Sequence, residues 1–324
     1  MSLLANQITI AVTVYNRRQF IKQAIASALN QSVPVRVVVV EDCGPDPTLA
    51  SLVKNEFGPR IEYIRNPTRR GLFGNWNACL DVCATEWITI LHDDDFLAPE
   101  FIEAMIELER ESPGCALYLG RTLNVNERGE PTPEQDVRAV SGRWMKRDLM
   151  DILYVPFSFP GHLFRVSDAR AVGGFRETSF MCGDWEMWAK LMAFGGAAQS
   201  SRVVAFNRSH AGWDRGSNQA ARSGRHLPTT FAQHKRILAL LAKRGAPKFD
   251  RKGWQQRSPM STRFLLRYAQ TLSPRLLRYH VGLLLLSTAP HWRYALFQKM
   301  TRIGGAGFVK WASKMWCRMN SFAD

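Results

Sequence analysis

The sequence predicts an α/β fold: a mostly parallel sheet with helices on both faces, followed by a basic, helical C-terminal region. Three observations carry this expectation. Short, continuous runs of apolar and β-branched residues alternate with helical stretches over the first 120 residues, the pattern of βαβ units whose strands are buried on both sides. An apolar fraction of 46%, with 18 Phe and 10 Trp among 324 residues, supplies a packed core and excludes global disorder. Charge is also divided unevenly. Residues 201–324 hold 23 Lys and Arg against three acids (Asp214, Asp250, Asp324), whereas the first 200 hold 20 bases against 25 acids.

Taken in order, Ile8 to Val14 is an uninterrupted apolar and Thr-bearing run and predicts a buried strand, and Arg18 to Leu29 predicts a helix. Arg36 to Val40 is a second strand, too short and too β-branched for a helix. Helix is expected over Pro47–Phe57, strand over Ile61–Ile64, helix over Gly71–Ala84 and strand over Trp87–Leu91. A helix over Pro99–Glu111 would have proline in its first turn. Arg121 to Pro160 is expected to be loop-rich, with turns at Asn126–Gly129 and Pro131–Pro133. Helix returns near Asp184–Phe194, a strand follows at Val203–Phe206, and the pattern is helical from Leu227 onward.

Right-handed crossovers would bring the strand C-termini to one edge, where open α/β sheets bind ligands. Polar clusters fall at those ends: Thr13-Val-Tyr15-Asn16, Glu41-Asp42-Cys43-Gly44, the loop Asn66 to Asn75, and His92-Asp93-Asp94-Asp95. Three successive carboxylates repel one another unless a cation is bound. Hard divalent ions take such oxygen ligands, usually together with substrate phosphates.

Other chemistries are excluded by what the sequence lacks. No G-x-G-x-x-G follows the first strand, and no phosphate-binding G-x-x-x-x-G-K-[ST] or nucleophile elbow G-x-S-x-G occurs. The six Cys show no C-x-x-C spacing, Cys79 and Cys83 being the nearest pair, which argues against a zinc site or disulfide framework and fits a reducing compartment. No apolar run approaches the roughly 20 residues of a spanning helix, and Met1 to Gln7 lack the features of a signal peptide. A cytoplasmic protein is the expectation.

These clusters resemble the family 2 glycosyltransferases. Val12-Thr-Val-Tyr-Asn16 is similar to the family's opening strand and loop, and Val40-Glu-Asp-Cys-Gly44 to its second-strand acidic motif. Leu91-His-Asp-Asp-Asp95-Phe-Leu-Ala-Pro99 resembles its D-x-D segment. Gly173-Gly-Phe175 followed by Gly183-Asp184-Trp-Glu-Met-Trp188 resembles the approach to its catalytic acid. Phe206-Asn-Arg208-Ser-His210 resembles its Arg-x-His element near the diphosphate. The resemblance runs from about Ile8 to Ser217 and implies a GT-A-type, Rossmann-like domain over residues 1–225.

The sequence departs from the family pattern in places. Gly183 stands where a Glu usually precedes the catalytic Asp, His92 replaces an Asp, and Trp76 and Asn77 stand where a base is frequent. Gln199-Ser-Ser-Arg202 superficially matches the Q-x-x-R-W of processive synthases but lacks the Trp, so a non-processive enzyme is implied.

By resemblance, the implied activity is inverting transfer of one sugar from a nucleotide diphosphate sugar, UDP favoured, to a hydroxyl of a saccharide or lipid-linked saccharide. Asp184 would be the general base, and it also opens a predicted helix, where a capping carboxylate is worth about 1 kcal/mol. A divalent metal, Mn2+ or Mg2+, would sit on Asp95, helped by His210. Asp42 would bind the base and Asp93 or Asp94 the ribose. Thr13 and Tyr15 would frame the base pocket with Asn16, Arg70 would add charge near the phosphates, and Asn75 would belong to the same nucleotide-sugar-binding loop.

The region 226–324 invites its own reading. In Gly307–Met319 a helical wheel puts Phe308, Trp311, Met315 and Trp316 on one side and Lys310, Lys314 and Arg318 on the other, as in an interfacial helix. Docking on an anionic membrane surface and plain packing on the catalytic domain both fit; docking would make the protein peripheral on the cytoplasmic membrane face. The alternative of a different class is a nucleic-acid-binding protein using this basic region. No nucleic-acid-binding motif and an acidic crevice in the front half make nucleic acid the weaker partner.

Overall fold

In the computed structural model of the chain, residues 3–132, 142–144, 158–179, 182–210 and 226–242 are described. The chain forms two compact units, Met1–Ser179 with Gly183–Ala211, and Phe180–Cys182 with Gly212–Asp324.

The first unit is built as the apolar runs dictate. Strands β1 (Ile8–Val14), β2 (Arg36–Glu41), β3 (Glu62–Arg65) and β4 (Trp87–His92) alternate with helices α1 (Ile21–Leu29), α2 (Leu49–Phe57) and α3 (Gly71–Val82). Every residue of β1 is buried, because parallel strands here carry helices on both faces. The order is β3-β2-β1-β4, all parallel. The chain therefore steps outward from β1 to β3 and then returns past β1 to β4. That reversal puts α3 on the face opposite α1 and α2 and opens a crevice at the C-terminal ends of β1 and β4. Ile8, Ile10, Val12 and Val14 pack with residues of α1, α2 and α4 (Phe101–Glu111) in one core.

Beyond β4 the sheet continues as β8 (His162–Arg165), β6 (Leu117–Val125), β9 (Ala197–Arg208) and the short β5 (Phe96–Leu97), with β7 (Gly142–Trp144) also paired to β9. β8 runs antiparallel to both β4 and β6, and β6 and β9 run parallel. The sheet is thus mostly parallel, as expected, with antiparallel insertions.

Several elements differ from the sequence expectation. α1 and α2 begin at Ile21 and Leu49, later than expected, and Pro99 lies ahead of α4 rather than in its first turn. β6, β8 and helix α5 (Val166–Ala171) occupy stretches with no strand or helix signal, and β9 extends well beyond Val203–Phe206. β6 shifts register against β9 between Leu119 and Thr122, which breaks the alternation that would have marked it. Gln199 is buried in β9 and Arg202 pairs with Glu107 at 3.2 Å, so this stretch serves the sheet. Helix α6 (Gly183–Gly195) matches the expected one closely.

The second unit is described over α7 (His226–Leu241), in line with the helical pattern from Leu227. The amphipathic stretch Gly307–Met319 lies outside the described residues. No helix among the described residues is long and apolar enough to cross a membrane.

Candidate active site

The polar ends of β1, β2 and β4 converge as the topology requires. Past the last strand residues the ladder continues: the Asp42 N–H donates to Val14 O and the Asn66 N–H to Glu41 O, each at 2.8 Å. Glu41 is fully buried and accepts from the Gly44 N–H at 2.9 Å, from the Tyr63 hydroxyl at 2.7 Å and from the Arg65 guanidinium. A carboxylate that deep is tolerable only with such partners, and here they fix the turn that presents Asp42. Gly44 belongs to the same device. A Cβ there would sit 1.6 Å from the Tyr15 carbonyl oxygen, so only glycine lets the β1 and β2 loops press together.

Asp42 is buried and accepts the backbone N–H groups of Arg70 at 2.6 Å and Gly71 at 2.9 Å. It caps α3, whose first N–H groups have no partner within the helix. Asn75 is a buried strut, its side chain accepting from Asn66 at 2.9 Å and donating to Val40 O at 3.2 Å. The Thr13 hydroxyl donates to Leu91 O at 3.3 Å and ties β1 to β4. Tyr15 and Asn16 are half-buried on the loop after β1, and the Arg69 guanidinium lies 4.4 Å from the Tyr15 ring centre. The Arg70 side chain turns instead to Asp81 at 3.2 Å and Glu177 at 3.5 Å. In this arrangement Arg69 lies over the expected base pocket, while the Arg70 guanidinium is engaged elsewhere.

At the end of β4 the three carboxylates meet cations supplied by the chain itself. One nitrogen of Arg17 contacts Asp93 and also Asp94 Oδ2, the latter at 2.9 Å. His210 Nε2 stands 3.0 Å from the same Asp94 oxygen. Asp95 is buried and accepts the Arg208 N–H at 2.9 Å. The Arg208 side chain is spent on the fold: it donates to Asp94 O at 2.8 Å, Glu127 O at 2.6 Å and Gln23 at 2.6 Å, with Phe20 and Phe96 packed against it. His210, expected to help Asp95 hold a metal, is in contact with Asp94.

The carboxylates respond to this crowding. Burial pushes Asp93 up to about 7. Burial and then the Asp94 charge raise Asp95. At Asp94 burial opposes the charge, but the His210 hydrogen bond and Arg17 outweigh it and the carboxyl is held low. Burial likewise opposes a charge on His92, yet Asp95, Asp94 and Asp93 together raise its affinity for a proton. Burial is thus the main cause of the rise at Asp93 and Asp95, and neighbouring carboxylates cause the rise at His92.

A divalent ion fits such a place. Among the described residues, His92, Asp94 and Asp95 each offer a donor atom, all lying within 4.8 Å of one another.

His92 is held by an aromatic wall. It stacks on Phe159, with ring centres 4.1 Å apart, and Phe159 stacks on Trp76 at 4.2 Å. His162 anchors this wall. Its Nε2 accepts the Ile90 N–H at 3.1 Å, so Nδ1 carries the proton and donates to Phe159 O at 2.5 Å. Burial pushes His162 down to about 3, which keeps it neutral.

Asp184 stands in the first turn of α6, half-buried. Gly183 before it presses on Phe73, whose ring would lie 2.3 Å from a Cβ. Phe73 in turn meets Trp76 edge-on at 4.9 Å, so packing joins the start of α6 to the wall behind His92. That contact explains why no larger residue precedes Asp184.

The structure thus gathers Asp93, Asp94, Asp95 and His210 at one point, and sets Asp42 at the start of α3 with Asn75 inside that helix, while Thr13 ties β1 to β4 and Tyr15 lies against Arg69. Sequence reasoning missed Arg17 as a member of the site, and it placed His92 in the acid-run cluster without giving it a role. A base three residues after the first strand, in the loop at its C-terminal end, was the available signal for Arg17.

Comparison with known proteins agrees with this geometry. Residues 9–166 match the model described as Glycosyl transferase family 2. The chain is 41% identical over 101 residues to the succinoglycan biosynthesis protein ExoO of Rhizobium meliloti, covering 31% of this chain and 29% of that protein. It is 28% identical over 167 residues to the GalNAc(5)-diNAcBac-PP-undecaprenol beta-1,3-glucosyltransferase of Campylobacter jejuni, covering 49% of this chain and 51% of the other. The matched segments thus span about a third to a half of these relatives' length. The fold is similar to that of S. aureus TarS 1–349 in complex with UDP-GlcNAc, with a TM-score of 0.58 and 15% identity over 92% of each chain. A crevice at the strand reversal, an acid run at the end of β4 and a family match spanning β1 to the start of α5 point the same way: residues 9–166 are similar to glycosyl transferase family 2.

Proposed function

We propose that the protein is an inverting, non-processive glycosyltransferase. It moves one sugar from a nucleotide diphosphate sugar, UDP favoured, to a hydroxyl of a saccharide or lipid-linked saccharide acceptor. The observation that carries this reading is the placement of Asp42 at the C-terminal end of β2 and of Asp93, Asp94 and Asp95 at that of β4, on either side of β1 at one edge of the sheet. The UDP-GlcNAc bound to TarS and the lipid-linked substrate in the Campylobacter enzyme's name support the donor and acceptor classes.

In the proposed reaction the acceptor oxygen attacks the anomeric carbon from the face opposite the diphosphate. The new C–O bond forms as the bond to the diphosphate oxygen breaks, and Asp184 takes the hydroxyl proton. The configuration inverts. A divalent ion, Mn2+ or Mg2+, held by Asp95 with His210, or with His92 and Asp94, would supply countercharge to the diphosphate. Thr13, Tyr15 and Asn16 frame the base, with Asp42 on its edge. Asp93 or Asp94 holds the ribose, and Asn75 and Arg70 belong to the phosphate-side loop, Arg70 through its backbone.

Residues 1–225 form the catalytic domain in this proposal. The basic region 226–324 either docks on an anionic membrane surface, placing the protein peripherally on the cytoplasmic face, or packs as an appendage.

Thermal shift against UDP, GDP, TDP and CMP, with and without Mn2+ or Mg2+, tests the donor. Ligand at 100 times its Kd adds about 2.7 kcal/mol. Metal-dependent stabilisation by one nucleotide is expected; no response to any of them, together with no turnover of sugar nucleotides, overturns the reading. The anomeric configuration of the product, read by NMR, tests inversion.

A further inference from the structure

His92 stands where its neighbours leave an imidazole nitrogen unused. Nδ1 lies 3.6 Å from Asp95 Oδ2, beyond the reach of a hydrogen bond, and Nε2 is buried with no partner. The other Asp95 oxygen already accepts the Arg208 N–H, so Oδ2 is the one left facing the imidazole. Stacking between His92 and Phe159 at 4.1 Å, with ring planes 4° apart, holds the plane of the imidazole. Two donors bound at about 2.1 Å to one ion stand roughly 3.0–3.5 Å apart. The His92–Asp95 gap has nearly that width, and Asp94 lies within the same cluster.

We propose that His92 Nδ1 is a metal ligand in this protein, so that the ion is held by nitrogen and oxygen together rather than by carboxylates alone. This rests on the glycosyltransferase reading for the presence of the ion but adds a residue and a consequence to it. A nitrogen donor disfavours Mg2+, which takes oxygen ligands and gives up water reluctantly, and favours the transition metals in their Irving–Williams order. The full chain is therefore selective, binding Co2+ more tightly than Mn2+ and Mn2+ more tightly than Mg2+. The carboxylates of Asp94 and Asp95 would bind the metals without imposing so steep an order.

Pulsed EPR of Mn2+ bound to the full-length protein in the presence of UDP tests the assignment. The expected result is an imidazole 14N coupling in the wild type that is lost in His92→Phe and His92→Gln but retained in His210→Gln. His92→Phe keeps the stack on Phe159 while removing both nitrogens, and circular dichroism confirms that it folds. Competition binding should also show at least a tenfold preference for Mn2+ over Mg2+, narrowing several-fold in His92→Asp. A coupling that survives in both His92 variants and disappears in His210→Gln would overturn the proposal, as would bound Mn2+ with no nitrogen coupling at all. If UDP still stabilises the protein in either case, only the ligand assignment fails. If neither UDP nor Mn2+ binds, the glycosyltransferase reading fails with it.

Discussion

Arg17 Nη1 lies 2.9 Å from Asp94 Oδ2 while also contacting Asp93, so one guanidinium nitrogen serves two neighbouring carboxylates. The first predicted strand ends three residues before Arg17 and the fourth ends just before the acid run, yet the fold sets them side by side. Arg17 supplies the positive charge that three adjacent carboxylates need.

The first prediction follows from that competition. A divalent ion using Asp94 must contend with Arg17 and His210 on the same oxygen. Replacing Arg17 by Gln should strengthen Mn2+ binding to the nucleotide-free protein by about tenfold, the scale of one charge-assisted hydrogen bond. Isothermal titration with Mn2+ measures it; unchanged or weaker binding would show that Arg17 does not compete for the ion.

Asp184 is predicted to act on the reaction rather than on binding. Asp184→Asn keeps the size of the side chain and its ability to cap α6, but cannot take a proton. Transfer should fall by about 10²–10⁴-fold, with the UDP-induced thermal shift retained. Near-normal turnover in this variant would remove Asp184 from the base role.

Gly44 predicts a stability effect. A methyl group at this position meets the Tyr15 carbonyl oxygen at 1.6 Å, and relief requires the β1 and β2 loops to part. Gly44→Ala should cost about 1–3 kcal/mol and abolish the nucleotide-induced shift, because Asp42 and Tyr15 move together. Scanning calorimetry with and without UDP reads both. An unchanged melting temperature would mean that the loops are not in close contact.

His162 predicts a pH dependence with a definite sign. Its folded value of about 3 lies below the ordinary 6.5, so between these values the unfolded chain binds the extra proton. Its contribution is fully present above pH 6.5 and is lost as the pH falls from 6.5 towards 3. The slope approaches about 1.4 kcal/mol per pH unit. Because Asp93 and Asp95 also titrate, the wild type is best compared with His162→Gln. The stability difference between the two should shrink on acidification below pH 6.5. Curves that stay parallel from pH 7 to pH 4 would show that His162 is not held neutral.

Much of this protein is written locally. β1, β2 and β4 could be read because each is an apolar run buried on both faces, and burial on both faces leaves a signature in the residues themselves. The acid run and Asp184 were legible for a related reason. Adjacent carboxylates after a buried strand, or a carboxylate opening a helix, are statements about neighbours in sequence.

β6, β8 and β5 were not legible. Their place in the sheet comes from β9 and β4, dozens of residues away, and neither Gly120-Arg121 in β6 nor the four residues of β8 alternate in a way that marks a strand. The same limit governed the site. Arg17 against Asp93 and Asp94, Phe73 against Gly183, and Phe159 on His92 are all contacts between residues far apart in the chain. Sequence determined which segments would be buried and which ends would be charged, because solvent transfer acts on each segment in place. Only the tertiary structure decided which charges would meet, because that depends on the crossover direction and strand order through which distant loops share one edge.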